Sequence, residues 1–225
     1  MKKIVLVFFM LAISLDLNAK EYSDMNITQD NGMYYDSNKN PLTGTVVSQD
    51  HTVITNVKNG KLHGDVLLYH EGVLRGKSTF KDGKLRVQET YWPNKKLRTR
   101  RPIVAHYVNG QLVEKYKEEP TRGYYKNGKL MFEQTKKETI FYDKNGKPLA
   151  QFTNGNANKS FCFKNGQKKR LSEEQIEIFT KEFDRIIENT MDEQEADFSQ
   201  FKCESPEKVL QELTKKQNTN KNTKK

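Results

Sequence analysis

The sequence predicts a mainly β protein: an elongated, twisted antiparallel sheet of repeated β-hairpins, followed by a small C-terminal α-helical segment. Three observations predict it. First, one unit recurs nine times, from Tyr35, Val57, Tyr69, Phe80, Tyr91, Tyr107, Tyr125, Tyr142 and Phe163. The unit is an aromatic (once a valine), a short polar step, a turn carrying Asn-Gly or a relative, and then usually Lys-Leu. Second, the flanks of these turns, such as Asp65–Tyr69 and Thr139–Tyr142, are rich in β-branched and aromatic residues. Third, 34% hydrophobic and 30% charged residues leave little material for a thick core, while 10% aromatics is too many for a disordered coil. A thin repeat architecture, in which each unit packs on its neighbours, suits that balance.

The turn residues are Gly60, Gly72, Gly83, Gly110, Gly128, Gly146 and Gly166. Asn-Gly and Asp-Gly accept positive φ at both centres of a type I′ turn, whose twist matches a tight hairpin. The recurring aromatic and the Leu beyond each turn are then expected to meet as cross-strand neighbours. Early turn glycines are 11–12 residues apart and later ones 18–20 apart. We read short strands in the first part and fuller hairpins with longer strands in the second.

Residues 1–19 read as a signal peptide: Lys2 and Lys3, an apolar run from Ile4 to Leu15, and the small Ala19 at the cleavage position. That run is too short for a membrane span. The expected location is outside the inner membrane, in the periplasm, on the cell surface or secreted. In an oxidising compartment Cys162 and Cys203 are candidates for a disulfide that ties the tail to the last strands; two free thiols are the alternative.

Charge divides the chain. Residues 20–170 carry a net charge of +13 and residues 171–225 a net charge of −4, so 20–170 is read as the hairpin repeat domain and 171–214 as a helical cap. Ser172 and Gln175 form a capping box, and Ile176, Phe179, Phe183, Ile186, Ile187 and Met191 follow at helical spacing. Ser205-Pro206 marks a second helix start with Val209, Leu210 and Leu213 as its stripe. Both stripes are expected to cover the end of the last repeat. Residues 215–225 hold no apolar side chain and read as a disordered basic tail.

The segment Asn59–Leu85 resembles the bacterial variant of the MORN repeat, the module of the YwqK-type antitoxin family. The likeness extends from about Tyr35 to Gly166 and is weakest over 95–120, where Arg98-Thr99-Arg100-Arg101-Pro102 interrupts the register. The resemblance implies a twisted antiparallel sheet used for binding or scaffolding, with no family-wide catalytic residues, and a toxin neutralised by direct protein–protein binding.

The residues themselves suggest neither enzyme nor metalloprotein. His51, His63, His70 and His106 fall at strand positions without zinc-ligand spacing, and no nucleophile elbow, phosphate loop or dinucleotide fingerprint occurs. We therefore expect no catalytic residues, no metal and no cofactor. Lys95, Lys96, Arg98, Arg100 and Arg101 beside Trp92 are the densest basic group, a candidate contact for an anionic partner. That partner is expected to be another envelope protein or an anionic envelope component, with peripheral membrane contact included. Nucleic acid is disfavoured because an exported protein seldom meets it. Lys61, Lys84, Lys129 and Lys147 follow successive turns and are expected on one rim, either to bind an anion or to keep an open sheet soluble.

Overall fold

The structure is a computed structural model that describes residues 20–154, 156–164, 167–189, 192–198, 201 and 203. The leader, Gly166, Met191, the stripe at 205–213 and the tail at 215–225 lie outside the described residues. The chain opens with β1 (Glu21–Ser23), a 3-10 turn at Asp24–Asn26, and the paired β2 (Thr28–Asp30) and β3 (Met33–Tyr35). Hairpin follows hairpin through β4 (Gly44–Val47), β5 (Val53–Lys58), β6 (Lys61–His70), β7 (Val73–Lys81), β8 (Lys84–Tyr91) and β9 (Leu97–Pro102). β10 (Ala105–Val108) and β11 (Gln111–Lys115) form a separate pair. β12 (Thr121–Tyr124), β13 (Leu130–Gln134), β14 (Glu138–Tyr142), β15 (Pro148–Thr153), β16 (Asn156–Lys164) and β17 (Gln167–Arg170) complete the strands before α1 (Glu173–Glu188).

Thirteen of these strands make one open, mostly antiparallel sheet in the order β1-β4-β5-β6-β7-β8-β9-β12-β13-β14-β15-β16-β17. β1 is the exception in direction, lying parallel to β4. It crosses so close that a Cβ at Gly44 would stand 2.1 Å from the Lys20 carbonyl oxygen, which explains the glycine there.

The turns obey the dihedral argument in part. Asn59-Gly60, Glu71-Gly72, Asp82-Gly83 and Asn109-Gly110 hold positive φ at both centres, as does Asn31-Gly32. Gly128 and Gly146 belong to a wider turn. There only the glycine is left-handed, Gly128 N–H donates to the Tyr125 carbonyl, and Tyr125 N–H donates to that of Lys129. In the Trp92 copy Lys95 takes the glycine's place at φ 65°, so the ladder continues without it. Aromatic and Leu do meet across the tight turns: Tyr69 with Leu74, Phe80 with Leu85 and Tyr107 with Leu112.

Strand lengths depart from the expectation in the middle of the sheet, although β16 is a long strand of nine residues and β4 and β5 are short at four and six. β6, β7 and β8 have 10, 9 and 8 residues, whereas β12 to β15 have 4 to 6. Each early glycine turns one strand into the next. The long interval between Gly128 and Gly146 hides a second, glycine-free turn at Thr135–Lys137, and the one between Gly146 and Gly166 holds the further dipeptide Asn154-Gly155 between β15 and β16. The basic stretch Leu97–Pro102 is also no interruption: it is β9, paired with β8 and β12.

Because strand side chains alternate between faces, one register line runs across most of the sheet through Leu68, Gly76, Thr90, Thr99, Gly123, Phe132, Phe141, Ala150 and Cys162. From Phe132 onward this line is buried. α1 lies on that face, with Phe183 against Phe132 (4.9 Å between ring centroids) and Phe179 against Phe141 (5.0 Å) and Phe152 (5.3 Å). Fully burying a ring such as Phe179 contributes about 2–3 kcal/mol. The helix thus covers a face of β13–β16, its aromatic stripe meeting an aromatic sheet face. Its capping box forms: Gln175 N–H donates to Ser172 Oγ and Ser172 N–H to Gln175 Oε1. The Cys162–Cys203 disulfide joins β16 to the segment beyond α1. A smaller cluster of Leu42, Val46 and Val57 anchors the N-terminal strands.

Candidate functional site

The basic group singled out from the sequence is dispersed by the fold. Trp92 is fully buried and its indole N–H donates to the Tyr124 carbonyl. Arg98, also fully buried, stacks on Trp92 and donates through Nη1 to the carbonyl of Asn189, just past the end of α1. A guanidinium suits the negative end of a helix. Burial pushes it down to about 10, with Asp192 opposing that shift, so it stays charged at neutral pH. Its Nε and Nη2 have no hydrogen-bond partner among the described residues. Neither residue can meet an external anion, and both leave the proposed surface. A β-bulge in β9 is the physical reason: Thr90 pairs with Thr99 and Tyr91 with Leu97, so Arg98 is the extra residue between them and turns toward the helix.

Arg100 lies on the opposite face, 3.6 Å from Glu89 and 2.8 Å from Glu119. Lys77–Glu89 (2.7 Å) and Arg122–Glu133 (2.7 Å) extend this line of paired charges. Arg101 is exposed on the helix side, and Lys95 and Lys96 are exposed on the turn between β8 and β9. Lys96 Nζ donates to the Asn127 carbonyl. The recurring lysines divide likewise. Lys61 and Lys84 begin β6 and β8 at one end of the sheet, while Lys129 and Lys147 follow turns at the other end.

The histidines are dispersed as well. His51 occupies a turn at φ 55°, His63 lies 3.1 Å from Asp82, His70 ends β6, and His106 faces Glu114 across β10 and β11. No set of three His, Cys, Asp or Glu side chains among the described residues could hold a metal ion.

A different surface stands out. Tyr107, Val108, Leu112 and Val113 are 58%, 49%, 54% and 53% exposed, and Val104 beside them is 41% exposed. Among the described residues only Met25 and Leu68 are other large hydrophobics left open in this way. The five belong to the β10–β11 excursion, which the chain inserts between β9 and β12 while those two strands pair directly with each other. Sequence reasoning placed the Tyr107 unit inside the ladder because its turn chemistry matches the rest. The available signal was the apolar tip itself, Tyr-Val-Asn-Gly-Gln-Leu-Val, which lacks the charged partners of the other copies.

The root of this hairpin is fixed. Glu114 accepts from Lys84 Nζ (2.9 Å), Arg86 Nη2 (3.3 Å) and the Tyr116 hydroxyl (2.9 Å), and the Arg86 guanidinium sits 3.7 Å above the Tyr116 ring. The Lys84 hydrogen bond, with those of Tyr116 and Arg86, lowers the Glu114 carboxyl to about 2. Ile103 N–H donates to the Arg86 carbonyl and Tyr116 N–H to that of Val104, closing the base. Beneath the hairpin a groove of about 650 Å³ is lined by Pro102, Ile103, Tyr107 and Leu112, with Glu118 and Lys136 among its polar residues. A second groove, of about 370 Å³, lies on the helix side where the sheet face turns small and polar, between Leu68, Ser78, Thr90, Arg101 and Ile187.

No helix among the described residues is long and apolar enough to cross a membrane. Compared with known protein families, curated proteins and solved structures, the chain matches none.

Proposed function

We propose that this chain is an exported, non-enzymatic binding or scaffold protein, in which the MORN-like sheet is the frame and the β10–β11 hairpin is the contact element. The observation that carries the reading is the exposure of Tyr107, Val108, Leu112 and Val113 on a hairpin whose root is held by Glu114, Lys84 and Arg86. A protein this polar gains nothing in its own core from leaving four adjacent large apolar side chains in water; such patches characterise interaction surfaces. Export is supported by the leader-like pattern at 1–19 and by the Cys162–Cys203 disulfide, a bond that persists in oxidising compartments. The partner is an envelope component, either a protein or an anionic surface.

The test is recovery of material from a solubilised envelope fraction by the chain and by its Tyr107→Ser/Leu112→Ser form. A component retained by the first and lost by the second is expected. Recovery of the same material by both forms overturns the assignment of the hairpin.

A further inference from the structure

The geometry points to an anionic lipid surface as the occupant of this hairpin: the tip enters the bilayer interface and lysines at the same end of the sheet meet the headgroups. This rests on the reading of the hairpin as the contact element and names what it contacts. Tyr107 and Leu112 are directly opposed on one face of the two-stranded ribbon, whereas Val108, one residue on, faces the other way. Val113 sits where the register shifts and is equally open. Apolar side chains therefore project from both faces. The Tyr107–Leu112 face borders the groove beneath the hairpin, and Val108 carries open apolar surface on the side away from it.

The charge around the tip complements an anionic surface. Strand direction puts the ends of β5, β7, β9 and β13 together with the hairpin at one end of the sheet. Lys61, Lys81, Lys117, Lys136 and Lys137 stand exposed there. Several of the nearby carboxylates are already engaged: Asp82 with His63, Glu114 with Lys84 and Arg86, and Glu119 with Arg100. An apolar tip within a cationic rim draws on both hydrocarbon contact and attraction to anionic headgroups. Tyr107 suits the position too, since its ring is apolar and its hydroxyl prefers the wet side of the interface.

The experiment uses the chain without its leader and a Leu112→Trp reporter. Trp92, the single native tryptophan, is fully buried and supplies a constant background. With vesicles of phosphatidylglycerol and phosphatidylcholine, the reporter emission is expected to shift to the blue and to be quenched by brominated acyl chains. Val108→Asp with Val113→Asp, tested for unchanged melting, is expected to weaken partitioning at least tenfold, and 0.5 M salt or phosphatidylcholine alone at least fivefold. Absence of partitioning overturns the inference, as does partitioning that the two aspartates leave intact or equal partitioning to zwitterionic vesicles. A lipid-free protein complex abolished by those aspartates, together with no vesicle binding, removes the lipid and leaves the hairpin reading standing.

Discussion

Gly123 carries the sharpest prediction about the sheet. It sits in β12 between Thr99 and Phe132, and a Cβ added there would lie 2.2 Å from Cε1 of Phe132 and 2.7 Å from Cδ1 and Cζ. Ordinary carbon contact begins at about 3.5 Å, so the ring would have to retreat by about 1 Å or more. It has nowhere to go: Phe132 is fully buried, with Phe183 edge-on at 4.9 Å and Phe141 at 6.0 Å. Overpacking of a filled core costs about 1–3 kcal/mol, and collision with a rigid ring belongs at the upper end. Restricting the unfolded chain returns up to about 1 kcal/mol for Gly→Ala, leaving a net loss of about 2 kcal/mol. For a chain of this size that corresponds to a fall in Tm of about 4–8 °C. The assay is urea and thermal unfolding of Gly123→Ala, alone and combined with Phe132→Leu, which removes the overlapping ring atoms. A coupling of about 1–2 kcal/mol is expected between the two positions. If Gly123→Ala changes stability by less than about 0.5 kcal/mol, or costs the same in both backgrounds, the steric argument is wrong.

Three further predictions concern charge and the tail. Arg98→Ser should lose about 2–4 kcal/mol in chemical unfolding, because it removes the stack on Trp92, the bond to the Asn189 carbonyl and a buried stem; Lys95→Ser and Lys96→Ser should stay within about 0.5 kcal/mol. Equal effects at Arg98 and Lys95 would contradict the burial. The Glu114 carboxyl, depressed from 4.5 to about 2, contributes stability that is full above its unfolded value and is lost as pH falls toward 2. Its carboxyl carbon should therefore titrate near 2 by NMR, while a midpoint near 4.5 would mean that the clamp is not formed in solution. Reduction of Cys162–Cys203, which spans 41 residues, should lower stability by about 4 kcal/mol by the loop-entropy argument. A loss below about 1 kcal/mol would show that packing alone holds the tail.

The repeat was legible where chemistry is local. Asn59-Gly60 and Asp82-Gly83 each announce a tight turn through two residues that tolerate positive φ, and Ser172 with Gln175 announces the start of α1 through a reciprocal pair of bonds. Asp36 and Asp143, each next to the aromatic of its copy (Tyr35 and Tyr142), each accept two backbone N–H groups through Oδ1. What escaped was set by partners distant in sequence. Arg98 and Arg100 are two residues apart in one basic run, yet Arg98 is the extra residue of a bulge in β9 and goes under α1, while Arg100 joins a line of carboxylates. The asparagines of the later turns have a second use, also invisible in one repeat: Asn94 Nδ2 donates to the Lys126 carbonyl and Asn127 Nδ2 to that of Lys144, so each turn holds the next. Nor does Tyr107-Val-Asn-Gly differ from its siblings in turn chemistry; only the direct pairing of β9 with β12 excludes it from the sheet.

That exclusion falls at a meaningful place. Along the register line through Leu68, Gly76, Thr90 and Thr99 the helix-side residues are mostly small or polar; beyond Gly123 they become Phe132, Phe141 and Ala150 and are covered by α1. The two halves are thus stabilised differently, the second by an aromatic core beneath a helix, the first by long strands and the paired charges of its other face. Individual surface ion pairs contribute little; the first half also holds the apolar cluster of Leu42, Val46 and Val57 at its N-terminal strands, and its β6 to β8 run to 10, 9 and 8 residues. The excursion leaves between β9 and β12, where one mode of stabilisation gives way to the other, and it interrupts neither, since the ladder passes beneath it from Thr99 to Gly123. Its apolar tip therefore contributes to neither half, and the Glu114 clamp holds it to β8 through Lys84 and Arg86. An apolar tip left in solvent on a root fixed by three donors to one carboxylate is the feature that the proposed contact role would use.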